Sequence, residues 1–336
     1  MITASPHARL SSPAPGWREL WRDAITDPAE LLQAVGLGDR TDLLPADDAG
    51  FALRVPRGFV ARMRRNDPYD PLLLQVLPQR AEHDRSPGFT TDAVGDMASK
   101  AGHGILHKYD GRALLIASGS CAINCRYCFR RHFPYGEEIA AAAQWRDALA
   151  HLRKDSTIRE LILSGGDPLA LATHKLEELT RGLADLPHVI RLRIHTRLPV
   201  VLPERIDDDF TAWLAALPLQ KVVVLHANHA NEFDAAVDAA CARLRLAGAS
   251  VLNQSVLLRG VNDDADTLAA LSERLFAAGV LPYYLHQLDR VQGAAHFEVD
   301  DERARALVDA IRARLPGYLV PRLVRETEGD TSKRPL

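Results

Sequence analysis

Three cysteines fall within eight residues in the string SGSCAINCRYCFRRHF: Cys121, Cys125 and Cys128. The spacing Cys-x3-Cys-x2-Cys places three thiolates on one loop, and soft sulfur donors suit an iron–sulfur cluster or zinc. Structural zinc takes four closed ligands, often as two Cys-x2-Cys pairs. The fourth cysteine, Cys241, shares an apolar helical stripe with Phe233, Val237 and Leu244, so it reads as core. A three-thiolate site with one metal position open is left. Its flanking Arg126, Arg130 and Arg131 argue against three unrelated core thiols. A second string, SGGDPL (164–169), pairs glycines where a backbone could approach a ligand closely. His226 and His229 in LHANHANE form a conceivable zinc pair. No motif sets a carboxylate beside them, so hydrogen-bonding or core roles are preferred. Lys333, one of six lysines, sits in EGDTSKRPL and by itself reads as a basic tail.

These residues need elements to hold them. From about residue 112, apolar runs alternate with helical spacing. The runs are 113–117, 160–164, 189–195, 221–227, 250–258 and 282–288. Between them recur Leu176, Leu179, Leu183; Val237, Cys241, Leu244; Leu268, Leu271, Leu275; and Leu307, Ile311, Leu315. Six β-then-α units imply a parallel sheet with helices outside, two short of a closed eightfold barrel. The expectation is an α/β fold built as an open, partial (β/α)6 barrel, with chemistry at the C-terminal strand ends. Residues 1–17 read as a flexible tail. Residues 18–110 read as a helical N-terminal cap, beginning with two short helices around Asp27-Pro28, and residues 111–336 as the barrel. Among 336 residues, 41 basic and 44 acidic side chains leave a net charge of −3, which offers no field for nucleic acid or an anionic membrane. No apolar run approaches the ~20 residues of a membrane span, and no secretion signal opens the chain, so the cytoplasm is expected.

The cysteine motif, with Tyr127 before its last thiol, resembles that of the radical S-adenosylmethionine enzymes. The resemblance implies a [4Fe–4S] cluster on Cys121, Cys125 and Cys128, whose fourth iron binds S-adenosylmethionine. Gly165, Gly166 and Asp167 match the family turn that holds the methionyl amino group, and Tyr127, His195 and Arg197 fall in the same region. RIHTRLPVVLP, LHANHANE and NQSVLLRGVND resemble the lysine 2,3-aminomutase branch, which also carries pyridoxal phosphate. In that branch the segment VPRLVRETEGDTSKRPL supplies the cofactor lysine, here Lys333. HKYDGR supplies cations for its phosphate, here Lys108, where the family more often has Arg, and Arg112.

The same resemblance implies Arg130 for the carboxylate of L-lysine, with Asp289 and Glu326 for its ammonium; free-lysine mutases have Asp at the Glu326 position. The chain stops three residues after Lys333, where catabolic mutases continue. With WRELWRDAITDPAELL and the SK-x-PL terminus, it resembles the branch serving elongation factor P. The implied activity makes (R)-β-lysine from (S)-α-lysine, with an external electron donor and a functional link to an elongation factor P ligase. The alternatives are a free-lysine mutase and a non-enzymatic metal-cluster or electron-transfer protein.

Overall fold

The structure, a computed structural model, describes residues 15–45, 50–138 and 145–336. Of the expected tail, residues 1–14 lie outside the described residues, and Trp17 already opens α1 (Trp17–Arg22). The helix α2 (Pro28–Ala34) follows. The Asp27 carboxylate accepts from the Ala29 amide, and Pro28 fills the first helical position. Two further short helices, α3 (Arg57–Val60) and α4 (Pro71–Leu74), complete the N-terminal helices. Leu31, Phe59 and Leu72 bury into the same apolar cluster as Leu115, Leu163 and Val223 of the sheet.

One ten-stranded sheet runs in sequence order from β1 to β10. The strands β1 (Lys100–Gly102), β2 (Ile105–Tyr109) and β3 (Arg112–Ser118) are antiparallel neighbours. Residues 100–102 and 105–109, expected within the helical cap, are therefore sheet. ILHKY and RALLIAS pair across Asp110-Gly111, a two-residue turn in which Gly111 takes φ +72°. From β3 onward the pairing is parallel through β4 (Glu160–Gly165), β5 (Arg191–Thr196), β6 (Gln220–Leu225), β7 (Ala249–Val256), β8 (Leu281–His286) and β9 (Arg322–Arg325). The two-residue β10 (Arg334–Pro335) returns antiparallel along β9.

After α5 (Tyr135–Glu138), the crossovers carry α6 (Trp145–Lys154), α7 (Thr173–Arg181), the short α8 (Leu198–Val201) with α9 (Asp208–Ala216), then α10 (Ala235–Leu246), α11 (Ala265–Ala277) and α12 (Asp301–Arg312). The expected open (β/α)6 barrel is thus present, extended by β9. Asp207, Asp234, Asp264 and Asp300 each cap the helix that follows, accepting from one or two first-turn amides. Such caps contribute about 1 kcal/mol apiece.

Strand alternation then separates two faces. Leu115, Leu163, Ile194, Val223 and Val251 stand in register across β3 to β7 and are all buried in the main apolar cluster. Ser164, Arg193, His195, Gln254, Tyr284 and His286 line an internal cavity instead.

Candidate active site

The cavity, about 650 Å3, is lined along the strands from Arg112, Arg193 and Arg322 to Gly166, Arg197 and Asp289 just past the C-terminal ends of β4, β5 and β8. Every site residue expected from the sequence lines it: the three cluster cysteines, Tyr127, Arg130, Gly165, Gly166, Asp167, His195, Arg197, Asp289, Glu326, Lys333, Lys108 and Arg112.

The thiol loop follows β3 directly. Its base is a buried ion cluster in which Arg126 and Arg131 both donate to Glu82, at 2.8 Å through Arg126 Nε and 2.7 Å through Arg131 Nη2. The turn after β4 abuts this loop. A Cβ on Gly165, where φ is +120°, would stand 2.3 Å from the Ser118 carbonyl oxygen, and one on Gly166 would stand 2.7 Å from that of Ser120. The paired glycines are therefore demanded by the backbone leading into Cys121. The Asp167 carboxylate is taken up by its own surroundings: it accepts from the amides of Leu169, Arg197 and Leu198 and from the Thr196 hydroxyl. Burial nevertheless pushes its acid up to about 6.

Arg197 reaches Cys125 Sγ at 2.6 Å and donates to Tyr127 Oη (2.7 Å), Gln75 Oε1 (2.7 Å) and Glu232 Oε2 (3.0 Å). Asn228 Nδ2 also donates to Tyr127 Oη, at 2.6 Å. Gln75, Asn228 and Glu232 escaped the sequence reading. LHANHANE drew notice for its histidines, whereas its Asn228 and Glu232 meet the thiol loop's partners. His226 lies near Gln254 Nε2 (3.2 Å), and His229 Nδ1 accepts the Asn231 amide. Cys241 is wholly buried in the core, as expected.

The far side of the cavity carries an alternating chain of charge. Arg130 Nε donates to Asp96 Oδ2 at 2.6 Å, and Lys108 Nζ approaches Asp96 Oδ1 at 2.7 Å. The same ammonium donates to Glu326 Oε1 at 3.0 Å, and Lys333 Nζ donates to Glu326 Oε2 at 2.8 Å. Lys108 belongs to β2 and Glu326 follows β9, so this bridge spans the opening that the unclosed sheet leaves. Glu326 is half-buried, yet Lys333 and Lys108 hold its carboxyl well below the usual range. Asp289, half-buried, is instead pushed up to about 7 by loss of hydration and by the Glu326 charge. Arg112 lies 4.6 Å from the Tyr109 ring centroid and makes no ion pair with a described residue.

The cavity suits bound groups. His195 Nε2 and His286 Nε2 are buried there without a hydrogen-bond partner, and such orphaned atoms call for a ligand. Burial drives His195 and His286 well below the ordinary imidazole range and His226 to about 3, so all three are neutral acceptors or donors at pH 7. Burial pushes Cys128 up to about 11 and also raises Cys121 well above the ordinary thiol range; metal ligation is what would hold them as thiolates. No group of three or more His, Cys, Asp or Glu among the described residues converges to hold a single ion. A cubane cluster asks for less convergence, because each thiolate meets a different iron.

Comparison with known proteins agrees with this chemistry. The Radical SAM superfamily model matches residues 115–271. An L-lysine 2,3-aminomutase of Escherichia coli (strain K12) is 49% identical, over 95% of this chain and 94% of that protein. One from Haemophilus influenzae is 46% identical, over 94% of each. One from Clostridium subterminale is 33% identical, over 95% of this chain and 77% of that protein.

Proposed function

Because the chain belongs to the L-lysine 2,3-aminomutase family of radical S-adenosylmethionine enzymes, we propose that it makes (R)-β-lysine from (S)-α-lysine to supply the modification of elongation factor P. The enzyme is an aminomutase, with a [4Fe–4S] cluster, S-adenosylmethionine and pyridoxal phosphate as cofactors. When bound, these supply a carbon-centred radical and a conjugated ring that lets an amino group move between adjacent carbons. The observation that carries the reading is the single cavity lined by the three thiols, Lys333 and the paired acids.

In this reading Cys121, Cys125 and Cys128 hold the cluster. The Gly165-Gly166-Asp167 turn, Tyr127, His195 and Arg197 shape the S-adenosylmethionine pocket. Lys333 carries pyridoxal phosphate, with Lys108 and Arg112 toward its phosphate. Arg130 takes the substrate carboxylate, since a guanidinium fork matches that group. Asp289 and Glu326 take the distal ammonium. Glu326 already neutralises Lys333, so an arriving ammonium replaces one cation with another at the same acid. The walls exclude water and fix the reacting carbons. The electron comes from an external donor. The elongation factor P role rests on the WRELWRDAITDPAELL helix pair, and is supported by the higher identity to the E. coli and H. influenzae relatives than to the clostridial one. The cytoplasm is part of the same reading, and no described helix is long and apolar enough to cross a membrane.

The test is anaerobic turnover of reconstituted protein with both cofactors, reductant and L-lysine. The product is then offered with elongation factor P to its ligase. Formation of (R)-β-lysine that the ligase attaches is the expected outcome. Absence of β-lysine would overturn the activity, and β-lysine that the ligase refuses would overturn the physiological role.

A further inference from the structure

Asp96 carries no motif and lies in the irregular stretch VGDMAS, yet it occupies the centre of the charge chain. Only 2% exposed, it faces the cavity and touches two cations at once. Its Oδ2 accepts Arg130 Nε at 2.6 Å in an aligned hydrogen bond, while its Oδ1 meets Lys108 Nζ at 2.7 Å as an ion pair outside hydrogen-bond alignment. Arg130 is fixed on its other sides as well. Nη1 donates to Ser164 Oγ at 2.9 Å, and the guanidinium lies 4.7 Å from the Phe129 ring centroid and 5.9 Å from that of Phe133. That leaves Nη2 without a hydrogen bond to any described residue. Lys108 is held more loosely, by a flexible four-carbon stem, with the Val94 carbonyl at 2.8 Å and Glu326 at 3.0 Å.

We propose that Asp96 is a positioning residue shared by two subsites, one carboxylate that orients Arg130 toward the amino-acid carboxylate and Lys108 toward the cofactor phosphate. This rests on the roles given to Arg130 and Lys108 above. The physical reason is economy of buried charge. Two cations packed at the same wall repel each other and lose hydration, and an acid between them offsets both effects while fixing where each donor points. Burial alone would raise the Asp96 acid, but Arg130 and Lys108 hold it below the usual range, so it stays ionised. Lys108 also has Glu326, whereas Arg130 has no acid but Asp96 among the described residues. Sharing one couples the two subsites, so disturbing Asp96 has to be felt at both.

Two binding measurements test this, with iron content and thermal stability followed alongside. Asp96→Asn keeps size and loses charge. Loss of a charge-assisted hydrogen bond predicts that the KM for L-lysine and the Kd for pyridoxal phosphate each rise roughly tenfold or more, with iron content unchanged. Lys108→Gln should raise the cofactor Kd, and combining it with Asp96→Asn should add little further to that Kd. Asp96→Glu keeps the charge and serves if Asp96→Asn does not fold. The lysine stem can follow a longer acid, whereas the pinned Arg130 cannot, so only the lysine KM should rise. A purely structural role would lower thermal stability and leave KM and Kd where they were, and that result overturns the proposal. If the unaltered enzyme makes no β-lysine, the functional reading fails, whereas the cofactor titration still reports on Asp96 and Lys108.

Discussion

The two walls of the cavity are built in opposite ways. The thiol wall is local: Cys121, Cys125 and Cys128 lie on one loop, braced by Arg126 and Arg131 on a single buried acid. The charged wall is assembled from distant segments, with Asp96, Lys108, Arg130, Glu326 and Lys333 drawn together only when the sheet curls and β2 comes to face the segment after β9. The thiols share one loop, although Glu82, Arg197 and the β4 turn support it from other segments. An assembled site depends on the whole sheet, and its charges are mutually dependent.

The largest effect should come from breaking the brace of the local wall. Glu82→Gln leaves two buried guanidiniums without their counter-charge and should cost about 3–5 kcal/mol, read as a lower urea midpoint with reduced iron loading. The next strains the seam between that wall and the barrel. In Gly166→Ala the new Cβ would meet backbone atoms of Ser120 at 2.7 and 2.9 Å, and forcing the two apart should cost about 1–3 kcal/mol and lower iron content. Unchanged iron there would mean the cluster loop moves independently of the β4 turn.

The assembled wall is probed through pH. Burial and the Glu326 charge push the Asp289 acid up to about 7. Only its ionised form attracts an ammonium, so the KM for L-lysine should climb as pH falls below about 7, and Asp289→Asn should erase that dependence while raising KM at higher pH. The smallest effect belongs to Cys241→Ala. A wholly buried thiol on α10, away from both walls, should cost about 1 kcal/mol with iron content unchanged. Iron lost in that variant would erase the distinction between cluster thiols and core thiol.

The same contrast governs what the chain discloses before folding. The cysteine spacing, the strand runs and the SGGDP turn are contiguous, so residue type and period are enough to locate them. Even there the reason for the glycines was hidden, since it lies in the carbonyls of Ser118 and Ser120 across the β3–β4 seam. Lys333 has no local signature, and resemblance alone distinguishes it from a solvated terminal lysine. Asp96 has neither signature nor resemblance to mark it, because its role exists only through Arg130 and Lys108, 34 and 12 residues away in sequence. Residues 100–109 follow a loop-rich, Pro- and Asp-rich stretch and so read as cap, although Asp110-Gly111 between two apolar runs is a hairpin signal. The β9 strand, RLVR, is too short and too charged to read as a strand until its pairing with β8 is seen.

The claim that both walls serve one reaction is tested most directly by crossing their readouts in Lys333→Ala and Cys125→Ala, each reconstituted anaerobically and assayed for β-lysine. The account predicts that Lys333→Ala keeps its iron and its reductive cleavage of S-adenosylmethionine yet forms no β-lysine. Cys125→Ala should keep pyridoxal phosphate binding and form none either. β-Lysine from Lys333→Ala at the rate of the unaltered enzyme would contradict it.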